Sequence, residues 1–108
     1  MLKVDCPVFE VGIGGLNDCT NVLTNTPVCG ITLLDYDHTT LLGETIEEIA
    51  YHKAGIMKVF IFSIIKRKPN SKVTTLVQTK KSSMAVLKTQ AEKVGVELSF
   101  HFNNLRLN

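Results

Sequence analysis

The chain lacks most of the features that assign a function by composition. Its 108 residues carry a net charge of only +2, too little to draw nucleic acid or an acidic membrane by charge. Its longest apolar run, residues 59–65, is far too short to span a bilayer. No charged n-region followed by an apolar stretch and a cleavage site opens the chain, so no secretory leader is expected. The cysteines are Cys6, Cys19 and Cys29. An odd number with no CxxC spacing excludes the common disulfide and zinc patterns and fits reduced thiols in a cytosolic or organellar protein. A catalytic thiol would need a base and a depressed pKa, and neither is legible. There is no GxxxxGK[ST] phosphate loop, and no dinucleotide fingerprint, because Asn17 stands where a third glycine would be. Internal repeats and low-complexity tracts are absent as well. With 44% hydrophobic and 20% charged residues, what remains is an ordinary folded chain. It is one small domain or part of a larger one, with a modest core.

The pattern along the chain alternates strands and helices. Residues 4–11 read as a strand, demoted to an edge or a bulge by Pro7, which has no N–H to donate. Residues 17–27 are rich in Asn, Asp and Thr, which is loop chemistry. Residues 28–34 form a second strand candidate. Residues 45–54 predict a helix that opens with a capping box, Thr45 and Glu48. Its inward face is Ile46, Ile49 and Ala50, and Gly55 stops it. Residues 73–78 read as a strand. Ser82 or Ser83 is expected to cap a second long helix with Met84, Leu87, Ala91 and Val94 on one face. Gly95 ends that helix and residues 96–100 form the last strand. The order predicts an α/β fold, a partial and mostly parallel sheet with flanking helices. Residues 59–72 stand apart: an apolar, β-prone, aggregation-prone half and then a basic half, read as a buried strand followed by a solvated turn. A nucleic-acid or nuclear-targeting patch at 66–68 is the weaker alternative.

Four features could carry chemistry. Glu10 ends an apolar run directly before a glycine turn, where open α/β sheets place ligand chemistry; it is either a metal ligand or a solvated carboxylate. Gly12, Gly14 and Gly15 could let backbone approach a phosphate, or could simply make a tight turn. His38 follows the second strand and is a ligand or a loop histidine. Lys53 continues the apolar face of the capped helix. An ammonium there is costly unless it is paired, snorkels or changes its charge. It could reach outward to the helix dipole, or it could be functional, facing phosphate or covalently modified.

Two blocks in fixed order, VFEVGIGGLNDCTNVL at 8–23 and DYDHTTLLGETIEEIAYHKAGIMK at 35–58, resemble folylpolyglutamate synthase, one of the Mur-ligase-like ATP-dependent amide ligases. The strong similarity covers roughly residues 4–58, and a weaker similarity resumes near Leu76 and includes 83–94. The resemblance implies an α/β piece of the family's central ATPase domain. It implies ATP-dependent addition of L-glutamate to a folate: the γ-carboxylate is phosphorylated, the incoming amine attacks the acyl phosphate, and phosphate leaves. It implies ATP and Mg2+, with Glu10 as a ligand of one magnesium ion and His38 as a ligand of a second. Lys53 matches the family's carbamylated lysine, and a carbamate would convert its ammonium to an anion. Imidazole as a magnesium ligand would not follow from the residue alone, since it suits zinc or manganese better.

The chain also departs from that family. The family's phosphate loop lies upstream of the Glu-x-Gly motif and its glutamate-binding domain lies downstream, so residues 1–108 are expected to be a central-domain fragment without either. Residues 59–72 replace a short Gly-x-Pro link and read as an atypical insertion. The alternative function is a non-catalytic truncated remnant or an interaction module of the same family. Expected partners are folate and L-glutamate, with no nucleic acid and no membrane insertion, in a monomer of the cytoplasm or mitochondrion. Apolar surface meant for missing neighbours predicts poor solubility.

Overall fold

A computed structural model describes residues 3–24, 26–58 and 72–101. Strands β1 (Val28–Ile31), β2 (Lys72–Leu76) and β3 (Glu97–His101) form one parallel sheet in that spatial order. Helices α1 (Thr39–Leu42), α2 (Ile46–Ala54) and α3 (Lys81–Val94) accompany it, with a short 3-10 turn at Cys19–Val22. The expected α/β architecture with a parallel sheet is the one observed.

Burial alternates along β1, with Cys29 and Ile31 inside and Val28 and Gly30 outside, as the two-residue period of a strand requires. Register aligns Cys29 with Val73 and Leu98, and Ile31 with Thr75 and Phe100. The row led by Cys29 joins Ile49 and Ala50 of α2 and Leu87 and Ala91 of α3 in one cluster. Ile49, Val73 and Leu87 are wholly inaccessible.

The capping box of α2 is present: the Glu48 N–H donates to Thr45 Oγ1 at 3.2 Å, and the Thr45 N–H donates to Glu48 Oε2 at 3.0 Å. The start of α3 differs from expectation. Its N-cap is Lys80, without a side-chain bond. Ser83 instead lies inside the first turn, 1% exposed, with its hydroxyl donating to the Lys80 carbonyl at 2.7 Å. A hydroxyl turned toward the core needs a partner, and the preceding turn supplies one.

Residues 4–11 form no strand. Val8 and Phe9 are exposed, Pro7 withholds a donor, and none of the described strands runs beside them. Glu10 therefore sits in irregular backbone rather than at a strand's carboxyl end. The expected strand-and-turn at 59–72 lies outside the described residues, apart from Lys72, which opens β2.

The carboxyl ends of β1 and β2 are joined by one buried amide. Gln78 accepts from the Leu34 N–H at 2.7 Å and donates to the carbonyls of Thr32 and Leu76 and to Thr75 Oγ1 at 3.0–3.1 Å. A buried amide so fully paired costs little and fixes the chain leaving both strands.

Candidate functional site

The glycine turn lies against the carboxyl end of α2. The Leu16 N–H donates to the His52 carbonyl at 2.8 Å. Gly15 has φ +151°, and a Cβ there would stand 3.0 Å from the His52 oxygen and 3.2 Å from the Lys53 oxygen. On the other side of the contact, a Cβ on Gly55 would meet Leu16 Cα at 2.5 Å and Leu16 N at 2.8 Å. Two glycines from distant parts of the sequence thus allow backbone to touch backbone. Gly14 is buried beside Leu42, the last residue of α1, whereas Gly12 is exposed beside the Asp18 carboxylate. The turn therefore meets α1 and α2 together, the helices that follow His38 and carry Lys53.

Polar clamps hold the rest of this segment. Asp18 accepts from the Ile13 N–H at 3.0 Å, the Thr20 N–H at 2.9 Å and the Thr20 hydroxyl at 2.6 Å. These bonds, led by the Thr20 hydroxyl, lower its pKa from 3.8 to about 2, because they favour the charged form. Asn21 Nδ2 donates to the Leu16 carbonyl at 2.8 Å. Lys58 Nζ donates to the carbonyls of Asn21 and Leu23. Across the molecule, Lys80 Nζ sits 3.2 Å from Asp35 Oδ1 and 4.1 Å from the centre of the Tyr36 ring. The Tyr36 N–H, and then Lys80, hold the Asp35 carboxyl below its ordinary value.

The expected site residues are placed as follows. Glu10 is exposed, and its carboxylate forms no hydrogen bond or ion pair among the described residues. His38 is the N-cap of α1, at φ 49° and ψ 38°. It is the one described non-glycine residue with positive φ, an uncommon and strained conformation. Its Nε2 lies 3.6 Å from Asp37 Oδ2. Lys53 is half-buried in the last turn of α2, where a helix dipole favours a cation. The backbones that carry Lys53 and the glycine turn are in contact. Glu10, His38 and Lys53 form no hydrogen bonds with one another, and no cluster of three metal-ligating side chains occurs among the described residues. Sequence reading missed Asp18 and Lys58, and it read Gly55 only as a helix stop. The Asn-Asp-Cys-Thr run signals a side-chain turn that could have found Asp18, but nothing local announces Lys58.

No protein-family model matches the chain. Bovine mitochondrial folylpolyglutamate synthase is 42% identical over 96 residues, which is 89% of this chain and 14% of that protein. The chain is a folylpolyglutamate synthase homologue. It corresponds to a small portion of the full-length enzymes, spanning 11–14% of the curated relatives it matches. Solved folylpolyglutamate synthases contain the same fold. A complex with AMPPCP and folate superposes at a TM-score of 0.70, with 36% identity, over 85% of this chain and 20% of that one. The Mycobacterium tuberculosis enzyme with ADP and AMPPCP gives 0.68 and 33% over 84% and 19%. No helix among the described residues is long and apolar enough to cross a membrane.

Proposed function

We propose that this chain is the part of an ATP-dependent folate–glutamate ligase that binds metal and nucleotide phosphate. The observation that carries the reading is the docking of the glycine turn on the carbonyls of His52 and Lys53, which brings the backbone after Glu10 to the turn of α2 that bears the lysine. Homology to a synthase solved with AMPPCP and folate supports the same reading.

The residues fit magnesium unequally. Glu10 offers an exposed, unpaired carboxylate, the hard oxygen donor that the ion prefers. His38 offers a softer nitrogen, on a backbone whose strain is of a kind often found at ligand sites. Glu10 would hold one magnesium ion and His38 a second, and the two ions would offset the repulsion between nucleotide phosphates and the folate carboxylate. Gly12, exposed at the start of the turn, would be the glycine a phosphate approaches, but the Asp18 carboxylate stands beside it, 3.2 Å from where a Cβ would be, and opposes an anion there. Gly14 and Gly15 act one step back, by fixing that turn to α1 and α2. Lys53 would be carbamylated, presenting an anion in place of an ammonium. The reaction would carry the γ-phosphoryl group to the folate γ-carboxylate. The amine of L-glutamate would then displace phosphate from the acyl phosphate and leave an amide. The compartment would be cytoplasm or mitochondrion.

A non-catalytic role in the same family is the second reading; these 108 residues carry no GxxxxGK[ST] sequence of their own. Any positioning of the β- and γ-phosphates by such a loop would come from outside these residues. Calorimetry of the chain with Mg-AMPPCP separates the two. Micromolar binding that Glu10→Gln weakens supports a nucleotide site, and absence of heat at millimolar ligand supports the non-catalytic reading. Intact-mass measurement in bicarbonate tests Lys53: an added carbon dioxide that Lys53→Met abolishes is expected.

A further inference from the structure

One groove begins at Thr39, next to His38, and takes in His52, next to Lys53, while Glu10, His38 and Lys53 themselves are not among its lining residues. It is an open trough of about 940 Å3 between the 39–45 segment, α2 and α3. Its acidic wall carries Glu44, Glu47 and Glu48, and no lysine or arginine among the described residues lines it. Its apolar contribution comes from Leu41, Tyr51 and Val86, with Leu41 64% and Tyr51 45% exposed. Two of the carboxyls are held below their ordinary values, Glu47 chiefly by the Ser82 hydroxyl and Glu48 chiefly by the Thr45 N–H. This negative trough belongs to a chain whose net charge is positive.

We propose that the trough between α2 and α3 docks a cationic, amphipathic segment of a partner protein. Sites that bury small molecules are concave and enclosed, whereas an open trough with an apolar strip suits one face of a helix. Charge decides which helix. Carboxylates along the wall attract lysine and arginine, and they repel acidic segments. Leu41 and Tyr51 supply apolar surface that the rest of the described fold leaves uncovered.

The test uses the whole 108-residue chain and a fluorescently labelled helical peptide of leucine and lysine, read by anisotropy. The chain's overall positive charge opposes such a peptide, so binding reports the trough. Removing two wall charges with Glu44→Gln and Glu47→Gln is expected to weaken binding about tenfold, the change that one lost 1.4 kcal/mol interaction produces. Leu41→Ser, a change at an exposed position, is expected to weaken it severalfold with an unchanged melting temperature. A leucine and glutamate peptide is expected not to bind. Equal binding of both peptides, unchanged binding by the variants, or no binding at millimolar peptide overturns the proposal. Self-association of the chain that protects α2 and α3 from amide exchange overturns it in favour of a second copy as occupant.

Discussion

Two regions of this molecule are held by different forces. The β1–β3 sheet with α2 and α3 is held by apolar burial, centred on Ile49, Val73 and Leu87. Residues 3–24 carry Glu10 and the glycine turn but contribute no residue to the buried hydrophobic core. They are held by backbone contact at Gly15 and Gly55 and by the polar clamps of Asp18, Asn21 and Lys58. Burial is non-directional and scales with area, whereas a clamp depends on the geometry and ionisation of a few atoms. The sheet should thus unfold as a unit, while the segment can detach alone.

The largest expected effect strikes the sheet region. Leu87→Ala empties a fully buried position and should cost about 2–5 kcal/mol, seen as a large fall in melting temperature by circular dichroism. Retention of the wild-type melting curve would mean that burial does not hold this half. Gly55→Ala probes the junction. Its φ of −60° suits alanine, so the cost arises from the Leu16 backbone that the new methyl would meet, about 1–3 kcal/mol for overpacking. Proteolysis within 13–24 should quicken while the helical signal persists. Thr45→Ala removes half the capping box and should cost about 0.5–2 kcal/mol, visible as faster amide exchange in the first turn of α2.

The smallest effect is local and depends on pH. The Asp18 carboxyl is depressed in the folded chain to about 2, against an unfolded value near 4. Its contribution is therefore complete above the unfolded value and is lost as pH falls through the folded one. The Ile13 amide resonance should titrate with a midpoint near pH 2. A midpoint near 4 would remove Asp18 from the clamp.

The same contrast explains what was legible in the sequence. Strand β2, helix α2 with its Thr45–Glu48 box, and the Leu87–Ala91 face of α3 were readable, because burial imprints a period on the residues that make it. The start of α3 was misread, because Ser83 suits an inward hydroxyl as well as it suits a cap. Residues 4–11 read as a strand but form none, because apolar composition cannot report that no described strand lies beside them. At the site, Glu10, His38 and Lys53 stood out by residue type and setting. The clamps did not, since Lys58 reaches carbonyls 35 and 37 positions away and a carbonyl has no residue type. Gly55 showed itself as a helix stop, while its close approach to Leu16 is a tertiary fact.

The buried amide of Gln78 has a mechanical consequence. Because one side chain grips the outgoing chain of both β1 and β2, a pull on either strand at that end is shared by its neighbour, and the rim of the sheet should yield in one step. The loops that spring from that rim, one leading to His38 and the other to Lys80, thus share a common foundation, and a molecule resting on either would be felt by both.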